Sequence, residues 1–320
     1  MTDLSIVIPV FNEEENVTPL CGALAAVLND LGVTYEVIFV DDGSVDGSFD
    51  RLREVAAKDS NVKLIRFRRN FGQTAAISAG ISRARGKLLC VMDADLQNDP
   101  RDIPRLLAKL EEGYDVVSGW RKDRKDPLLS RKVPSWIANK LISVITGVHL
   151  RDYGCMLKVY RATLLEGVRL YGEMHRFIPA YAAQQGARIA EMAVTHHPRR
   201  AGRSKYGISR TFKVLLDLIV VKFLSGYATK PIHLFGGVGA ISCLAGVLAG
   251  AVALCEKWAL GVYVHRNPFI LLAVFLFLLG VQCVLMGLLA EILMRTYHES
   301  QRKPTYSIAE LVNLKEAEAP

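Results

Sequence analysis

The chain has no glycine-rich phosphate cradle. A Rossmann dinucleotide site needs Gly-X-Gly-X-X-Gly after the first strand, and this sequence has Pro9-Val10-Phe11-Asn12-Glu13 there. No Gly-X4-Gly-Lys-Ser/Thr loop occurs anywhere. Any nucleotide is held by another device, and a metal is the expected phosphate anchor. Cysteines 21, 90, 155, 243, 255 and 283 are scattered, with no Cys-X-X-Cys and no Cys/His cluster of zinc spacing. They read as reduced thiols in a cytosolic or membrane setting. The first residues enter a strand-like run without a basic segment and an apolar core, so no signal peptide is expected. Internal repeats and long low-complexity tracts are also missing. The basic segments lack interleaved stacking aromatics, which argues against a nucleic-acid partner.

What the chain does have is an uneven distribution of apolar residues. Its 320 residues are 51% hydrophobic and carry a formal net charge of +8. The apolar excess lies after Pro231. Pro231–Cys255 and Asn267–Ala290 contain no Asp, Glu, Lys or Arg. Each exceeds the roughly 20 apolar residues that span a bilayer, so two transmembrane helices are expected. Residues 199–230 are rich in Lys and Arg, whereas the connector Glu256–Arg266 carries only Lys257 and Arg266. That bias predicts cytoplasmic termini and an external connector. The expected organisation is a cytosolic domain over 1–205, an amphipathic juxtamembrane helix over 206–230, two spans within 231–295, and a cytosolic tail over 296–320 whose short extended segment ends in polar residues.

Before Ser118, apolar runs alternate with helical patterns. Strands are predicted at Leu4–Val10, Tyr35–Val40, Val62–Phe67, Leu88–Met92 and Tyr114–Ser118. Helices are predicted from about Glu13 to Leu31, at Asp46–Lys58, from Asn70 to Arg85, and at Arg101–Glu112. This alternation predicts an α/β domain with a parallel sheet covered on both faces and a ligand cleft beyond the carboxyl ends of the strands. A strand after Met156, a helical region over Thr163–Gln185 and a strand over Arg188–Thr195 follow. The adjacent His196 and His197 read as structural or surface residues and not as a metal pair, because neighbours on a strand point different ways.

The run ending in Asp93-Ala94-Asp95-Leu96-Gln97 organises the rest. On its own such a triplet is first read as a solvated turn in which Asp99 or Asp102 caps the next helix. However, Asp41-Asp42 ends a neighbouring strand, so one cleft has room for all four carboxylates. Paired carboxylates repel one another, and a divalent cation such as Mg²⁺ or Mn²⁺ relieves that repulsion. Two basic segments supply phosphate partners. The first holds Arg121, Lys122, Arg124, Lys125, Arg131 and Lys132 before an amphipathic helix with Trp136, Ile137, Leu141, Ile142 and Ile145. The second is the loop from Arg199 to Gly207. An acidic cleft, basic loops and a membrane anchor suit a reaction between a soluble nucleotide-linked donor and a lipid phosphate.

Pro9-Val10-Phe11-Asn12-Glu13, Val40-Asp41-Asp42-Gly43-Ser44, Asn70-Phe71-Gly72-Gln73, Asp93-Ala94-Asp95-Leu96-Gln97 and Arg199-Ala201-Gly202-Ser204-Lys205-Tyr206 occur in this order. In this the chain resembles the inverting family 2 glycosyltransferases of the polyprenyl-phosphate branch. That branch includes dolichol-phosphate mannose synthases and undecaprenyl-phosphate glucosyltransferases. Glu112–Val117 and Asp152–Leu157 further resemble the undecaprenyl-phosphate 4-deoxy-4-formamido-L-arabinose transferases of lipid A modification. The resemblance implies a GT-A fold, a UDP-sugar donor, an undecaprenyl phosphate acceptor, Mg²⁺ or Mn²⁺, a bacterial inner-membrane location and a possible homotetramer. It implies that Pro9, Phe11, Glu13, Asp41, Asp42 and Gln73 bind the nucleotide-sugar together with Asp93 and Gln97. It assigns Asp93, Asp95 and Gln97 to the metal, and Arg121, Arg131 and Ser135 to the acceptor phosphate. Asp93, Asp95, Arg199 and Lys205 become the catalytic set. Two departures stand out. Phe11 replaces a common tyrosine, and Arg203 lies where the arabinose enzymes tend to be acidic.

A glucosyl- or N-acetylhexosaminyltransferase is the nearest alternative. A processive polysaccharide synthase fits less well, since two spans are few for a pore and no Gln-X-X-Arg-Trp is present. A non-catalytic membrane anchor leaves the acidic pairs unexplained.

Overall fold

The computed structural model describes residues 2–122, 139–140, 142–143, 146–166, 170, 174–198, 231–260, 263, 267–300 and 306–314. The chain divides into two compact units, Met1–Ile219 with Pro304–Pro320, and Val220–Lys303.

In the first unit, β1 (Leu4–Val10), β2 (Tyr35–Asp41), β3 (Val62–Phe67) and β4 (Leu88–Val91) run parallel in the order β4-β1-β2-β3. Their near-continuous apolar runs reflect burial on both faces. Alternate residues serve opposite layers. Phe39 joins the core formed with Leu20, Leu24 and Leu28 of α1 (Glu14–Asn29) and Leu52 of α2 (Ser48–Ala56). Ile38 and Val40 join the other layer with Ala75, Ala76 and Ala79 of α3 (Gln73–Arg83). The small residues let α3 lie close. A Cβ on Gly80 would sit 2.3 Å from Val7 Cγ1. A short 3₁₀ turn (Pro100–Asp102) leads into α4 (Ile103–Glu111), whose Leu106 and Leu110 complete the first layer.

The expected parallel sheet forms as β4-β1-β2-β3 and, among the described residues, extends into a mixed sheet of eight strands, ordered β7-β5-β6-β4-β1-β2-β3-β8. β5 (Val116–Trp120) ends at the carboxyl side of the sheet. The chain returns from there as β6 (Lys158–Arg161), which pairs antiparallel with both β4 and β5. Such a return needs no crossover helix. It leaves Arg121 and the Asp152–Leu157 loop at the carboxyl end, where ligands bind in open α/β sheets. β7 (Ile189–Ala193) adds parallel to β5.

The tail supplies β8 (Ile308–Val312), antiparallel to β3. A lone extended segment was expected there. An edge strand forms because β3 otherwise presents an open row of backbone donors and acceptors. The helical region expected over Thr163–Gln185 is also broken. A 3₁₀ turn at Ala162–Leu165 ends at Glu166 with extended backbone, and a second occupies Met174–Phe177. The α-helix proper, α5, runs only from Ile178 to Gln184, with Pro179 in its first turn. Asn139, Lys140, Ile142, Ser143 and Thr146 are helical, as the amphipathic pattern requires, and Ile142 is buried.

The second unit contains α6 (Pro231–Leu260) and α7 (Pro268–Ser300), which include candidate membrane spans at Phe235–Ala259 and Pro268–Ala290. The two helices touch through glycine. A Cβ on Gly239 would lie 2.7 Å from the Gly280 carbonyl oxygen, and one on Gly246 would lie 2.9 Å from that of Ala273. Small residues at helix contacts are the usual route to close packing in lipid. The outward faces carry side chains such as Leu271 and Phe275, which are exposed within the chain and suit hydrocarbon.

Candidate active site

The site lies beyond the carboxyl ends of β1, β2 and β4. The loops after β1 and β2 are stitched together. Asn12 adopts a left-handed φ of 52°, which asparagine tolerates better than most residues. Its backbone N–H donates to Ser44 Oγ (2.9 Å), and its side-chain Oδ1 accepts from Val45 N–H (2.9 Å). Glu13 N–H donates to Ser48 Oγ (2.8 Å), and Glu13 Oε2 accepts from Asn16 (2.7 Å). These bonds hold the half-buried Phe11 and Glu13 at the end of β1, just past Pro9. Gly43 turns with a φ of 69°, and a Cβ there would meet the Arg69 backbone at 2.5 Å.

Asp41 and Asp42 diverge from this point. Asp41 is fully buried, and its Oδ1 accepts from Ser44 N–H at 3.3 Å. Arg66 Nε lies 3.7 Å from Oδ2, beyond hydrogen-bond distance, and no described donor satisfies that oxygen. Burial pushes the Asp41 carboxyl upward. Asp42 accepts from the Phe71 N–H (2.7 Å) and the Gly72 N–H (2.9 Å), one bond to each oxygen. Burial raises its pKa as well, against those two bonds. Asp42 therefore fixes the loop that starts α3. Gln73, the first residue of α3, then donates from Nε2 to Asp93 Oδ1 at 2.7 Å.

Asp93 is half-buried and Asp95 is buried, two residues further along the same strand end. Asp95 Oδ1 accepts from Gln97 N–H at 3.2 Å. Leu96 between them has a φ of 57°, an unusual conformation for leucine. The segment that follows Ala193 pins the residues just after it. His197 N–H donates to the Gln97 carbonyl (2.8 Å), and Asn98 and His196 form an antiparallel bridge. His197 Nε2 also lies 3.0 Å from Asp99 Oδ2. Burial opposes ionisation of Asp99, but the Arg101 and His197 hydrogen bonds outweigh it and hold the carboxyl well below its usual range. The two histidines are thus structural. Asp99 caps the 3₁₀ turn by accepting from Arg101 N–H. Among the described residues, no three His, Cys, Asp or Glu gather as a complete metal cage. Asp41 and Asp42 accept backbone bonds from the loops that follow β2 and β3, while Asp93 and Asp95 lie just past β4.

On the far side, Arg121 makes a bidentate ion pair with Asp152, Nε to Oδ2 at 2.7 Å and Nη2 to Oδ1 at 2.9 Å. Both side chains are nearly buried. Burial works against each charge, but the pairing dominates. The guanidinium of Arg121 is driven further up, helped by the charge of Asp93, and Asp152 is lowered to about 2. Lys158 is fully enclosed beneath them on β6. Its Nζ donates to the carbonyls of Tyr153 (3.1 Å) and Cys155, and burial lowers its pKa to about 8. His175 Nδ1 lies 2.6 Å from Thr74 Oγ1, which ties the start of α3 to the Met174–Phe177 turn.

Sequence reasoning missed Asp152, Lys158 and His175 as supports. The signal available was Lys158, a charge inside a strand run. Of the expected site residues, Gln73, Asp93, Asp95, Gln97 and Arg121 fall at the cleft, with Pro9, Phe11, Glu13, Asp41 and Asp42 on the β1 and β2 side. Arg131, Ser135, Arg199, Arg203 and Lys205 lie outside the described residues.

Comparison with known proteins gives this geometry a context. A match to glycosyl transferase family 2 covers residues 5–169. The dodecaprenyl-phosphate galacturonate synthase of Rhizobium johnstonii is 47% identical over 97% of this chain and 93% of its own length. The undecaprenyl-phosphate 4-deoxy-4-formamido-L-arabinose transferase of Proteus mirabilis is 38% identical over 98% of this chain and 94% of its own. Among solved structures, glucosyl-3-phosphoglycerate synthase from Mycobacterium tuberculosis, in complex with Mn²⁺, UDP and phosphoglyceric acid, superposes with a TM-score of 0.54. It is 17% identical and covers 70% of this chain and 78% of its own. TarS from S. aureus with UDP-GlcNAc gives a TM-score of 0.51 at 17% identity over 94% and 93%. The eight-stranded mixed sheet with its ligand-side carboxylates is a GT-A fold, and the chain belongs to glycosyl transferase family 2 as a membrane glycosyltransferase.

Proposed function

We propose that the protein transfers a sugar from a UDP-sugar to a polyprenyl phosphate with inversion, on the cytoplasmic face of a bacterial inner membrane. The observation that carries this reading is the Asp93/Asp95 pair. Gln73 orients it from one side and the Arg121–Asp152 pair borders it on the other, in a chain with two candidate membrane spans. Near-full-length relatives named for polyprenyl-phosphate products support the acceptor class.

Asp93 and Asp95 suit a hard divalent cation. Mg²⁺ and Mn²⁺ take one or two carboxylates and fill the remaining positions with substrate phosphate oxygens and water. When bound, the metal neutralises the departing diphosphate. Gln73 fixes the orientation of Asp93, and the His197–Gln97 bond fixes the turn that presents Asp95. Asp41 Oδ2, a buried acceptor with no described donor in hydrogen-bond reach, suits an imide N–H such as that of uracil. Pro9, Phe11 and Glu13 border the same nucleoside side. Arg121, with Arg131 and Ser135, is assigned to the acceptor phosphate, and Arg199 and Lys205 are assigned to the donor diphosphate.

The acceptor phosphate oxygen forms a bond to the anomeric carbon. The bond from that carbon to the diphosphate breaks, and UDP leaves with the electron pair. A phosphate monoester has a second pKa of about 6, so it is already ionised and needs no general base. Positioning and charge then supply most of the rate.

The tail supports the expected topology. A chain that leaves the catalytic sheet and returns to it as β8 crosses a membrane an even number of times. The Lys/Arg-rich stretch before α6 favours the cytoplasmic side for that sheet. The relatives' names point to a hexuronic acid or the formamido-arabinose as the first donors to test, and the higher identity favours the former. Incubating the detergent-solubilised protein with undecaprenyl phosphate, Mn²⁺ and a panel of UDP-sugars, followed by mass spectrometry of the lipid, tests the reading. Absence of a glycosylated lipid with every donor would refute it.

A further inference from the structure

The segment that follows the second apolar helix does more than cover a sheet edge. β8 pairs with β3 from Leu64↔Val312 to Phe67↔Ile308, and Arg68 N–H extends the contact to the Ser307 carbonyl at 3.0 Å. Two side chains lock it. Arg53 donates to both oxygens of Glu310 at 2.9 Å, and Asn313 Nδ2 donates to the Ala56 (2.9 Å) and Val62 (2.8 Å) carbonyls.

Tyr306 sits just before this strand, where β3 gives way to the loop that carries Phe71, Gly72 and Gln73. Its ring stacks on Phe67, with centroids 5.0 Å apart and planes at 16°. Its hydroxyl lies 3.2 Å from Ser82 Oγ on α3. Phe67 meets Phe71 edge to face at 5.6 Å, and the Arg69 guanidinium covers the Phe71 ring at 4.1 Å. Phe71 and Gly72 are the residues whose amides Asp42 holds, and Gln73 follows with its bond to Asp93. A continuous line of contact thus runs from Tyr306 through Phe67 and Phe71 to the carboxylate at the end of β4.

We infer that Tyr306 is a positioning residue for the donor site: the carboxyl-terminal segment, docked on β3, wedges the Phe67–Phe71 ring pair and so sets the placement of Gln73 against Asp93. The inference rests on Asp93 belonging to the UDP-sugar site. The working part is the ring, since it is the ring that touches Phe67, while the hydroxyl reaches α3.

The test compares the full-length protein with Tyr306→Ala and Tyr306→Phe, by calorimetric binding of UDP with Mn²⁺ and by thermal unfolding. UDP binding to the wild type is the control on the site itself. If the wild type binds no UDP, the functional reading fails before the tail is at issue. Coupling through packed side chains predicts that Tyr306→Ala weakens UDP binding about five- to tenfold. Tyr306→Phe is expected to bind as the wild type does. In the transfer assay the KM for the donor should rise while the KM for the polyprenyl phosphate stays put. Equal UDP affinity in Tyr306→Ala and wild type, whatever the change in melting temperature, would overturn the inference. So would a Tyr306→Phe protein as weak as the alanine variant, because the ring would then not be the working part.

Discussion

Gln73 Nε2 and Asp93 Oδ1 are 2.7 Å apart, and they join two strand ends that are not neighbours in the sheet. Gln73 opens the helix that follows β3, while Asp93 follows β4, with β1 and β2 lying between them. The bond therefore makes the geometry of the acidic pair depend on the loop that Asp42 organises. Replacing Gln73 with leucine keeps the bulk and removes the donor. Loss of a partner that orients a metal-binding carboxylate typically costs about 10- to 100-fold in metal affinity or activity. Gln73→Leu is expected to raise the Mn²⁺ concentration needed for half-maximal transfer by that amount, with melting temperature nearly unchanged. A metal titration of the transfer rate checks this.

Asp95→Ala removes one of the two carboxylates offered to the metal. Transfer should fall by at least about 10²- to 10³-fold, the scale seen when a major electrostatic contact to a developing charge is lost. Chelation of the wild type should stop transfer reversibly, with Mn²⁺ or Mg²⁺ restoring it. An Asp95→Ala enzyme that keeps its rate, or a wild type indifferent to chelator, would remove the metal from the mechanism.

The sheet core was largely legible in the sequence, and the reason is physical. Leu4–Val10 forms a strand as expected because a parallel strand buried on both faces is a near-continuous apolar run, and Val62–Phe67 forms one although Lys63 and Arg66 interrupt its apolar residues. Asp93 and Asp95 were legible because two carboxylates at a strand end need a partner. The strand after Met156 and the extended tail segment form as expected, but their antiparallel pairing with β4 and β3 was not legible, since it is decided by distant segments and leaves no local period. The helical region expected from Thr163 breaks at Glu166, where the backbone turns extended, and an α-helix begins only at Ile178, with Pro179 in its first turn. Asp152 escaped notice as a support because its partner Arg121 is 31 positions away, visible only once β5 and β6 are paired.

That pair gives a stability prediction. Asp152→Ala leaves the guanidinium of Arg121 buried without its carboxylate, which typically costs about 3–5 kcal/mol. The pH dependence follows from the lowered pKa. Asp152 titrates near 2 in the folded protein against 3.8 when exposed, so the unfolded chain binds more protons between those values. Its stabilising contribution is complete above pH 3.8 and is lost as pH falls towards 2, by about 2 kcal/mol. Buried Asp41 and Asp42 and half-buried Glu191 shift the opposite way, so the difference between proteins is the useful measure. Acid unfolding of wild type and Asp152→Asn, followed by tryptophan fluorescence, should show a shallower loss in the variant between pH 4 and 2.

Lys158 carries the opposite sign, at alkaline pH. Burial lowers its pKa from 10.5 to about 8, so at neutral pH the folded protein holds a buried ammonium whose contacts are the Tyr153 and Cys155 carbonyls. Between pH 8 and 10.5 the unfolded chain keeps a proton that the folded chain has released. Stability from this group therefore rises with pH across that window, by about 3 kcal/mol. The neutral amine still donates to a carbonyl, so the loop stays tied. Buried Cys90 and Cys155 oppose it. Their thiols are pushed up to about 12, and the stability they contribute below pH 9 is lost as pH climbs towards 12. The wild-type curve alone mixes the two effects, and a comparison with Lys158→Met separates them. Methionine fills similar space without charge, so the variant keeps the thiol trend and loses the lysine trend. Wild type minus variant stability should rise from pH 7.5 to 10, measured by denaturant unfolding of the catalytic domain's signal in the full-length protein. A flat or falling difference would mean that Lys158 is already neutral at pH 7.5, or that water reaches its ammonium.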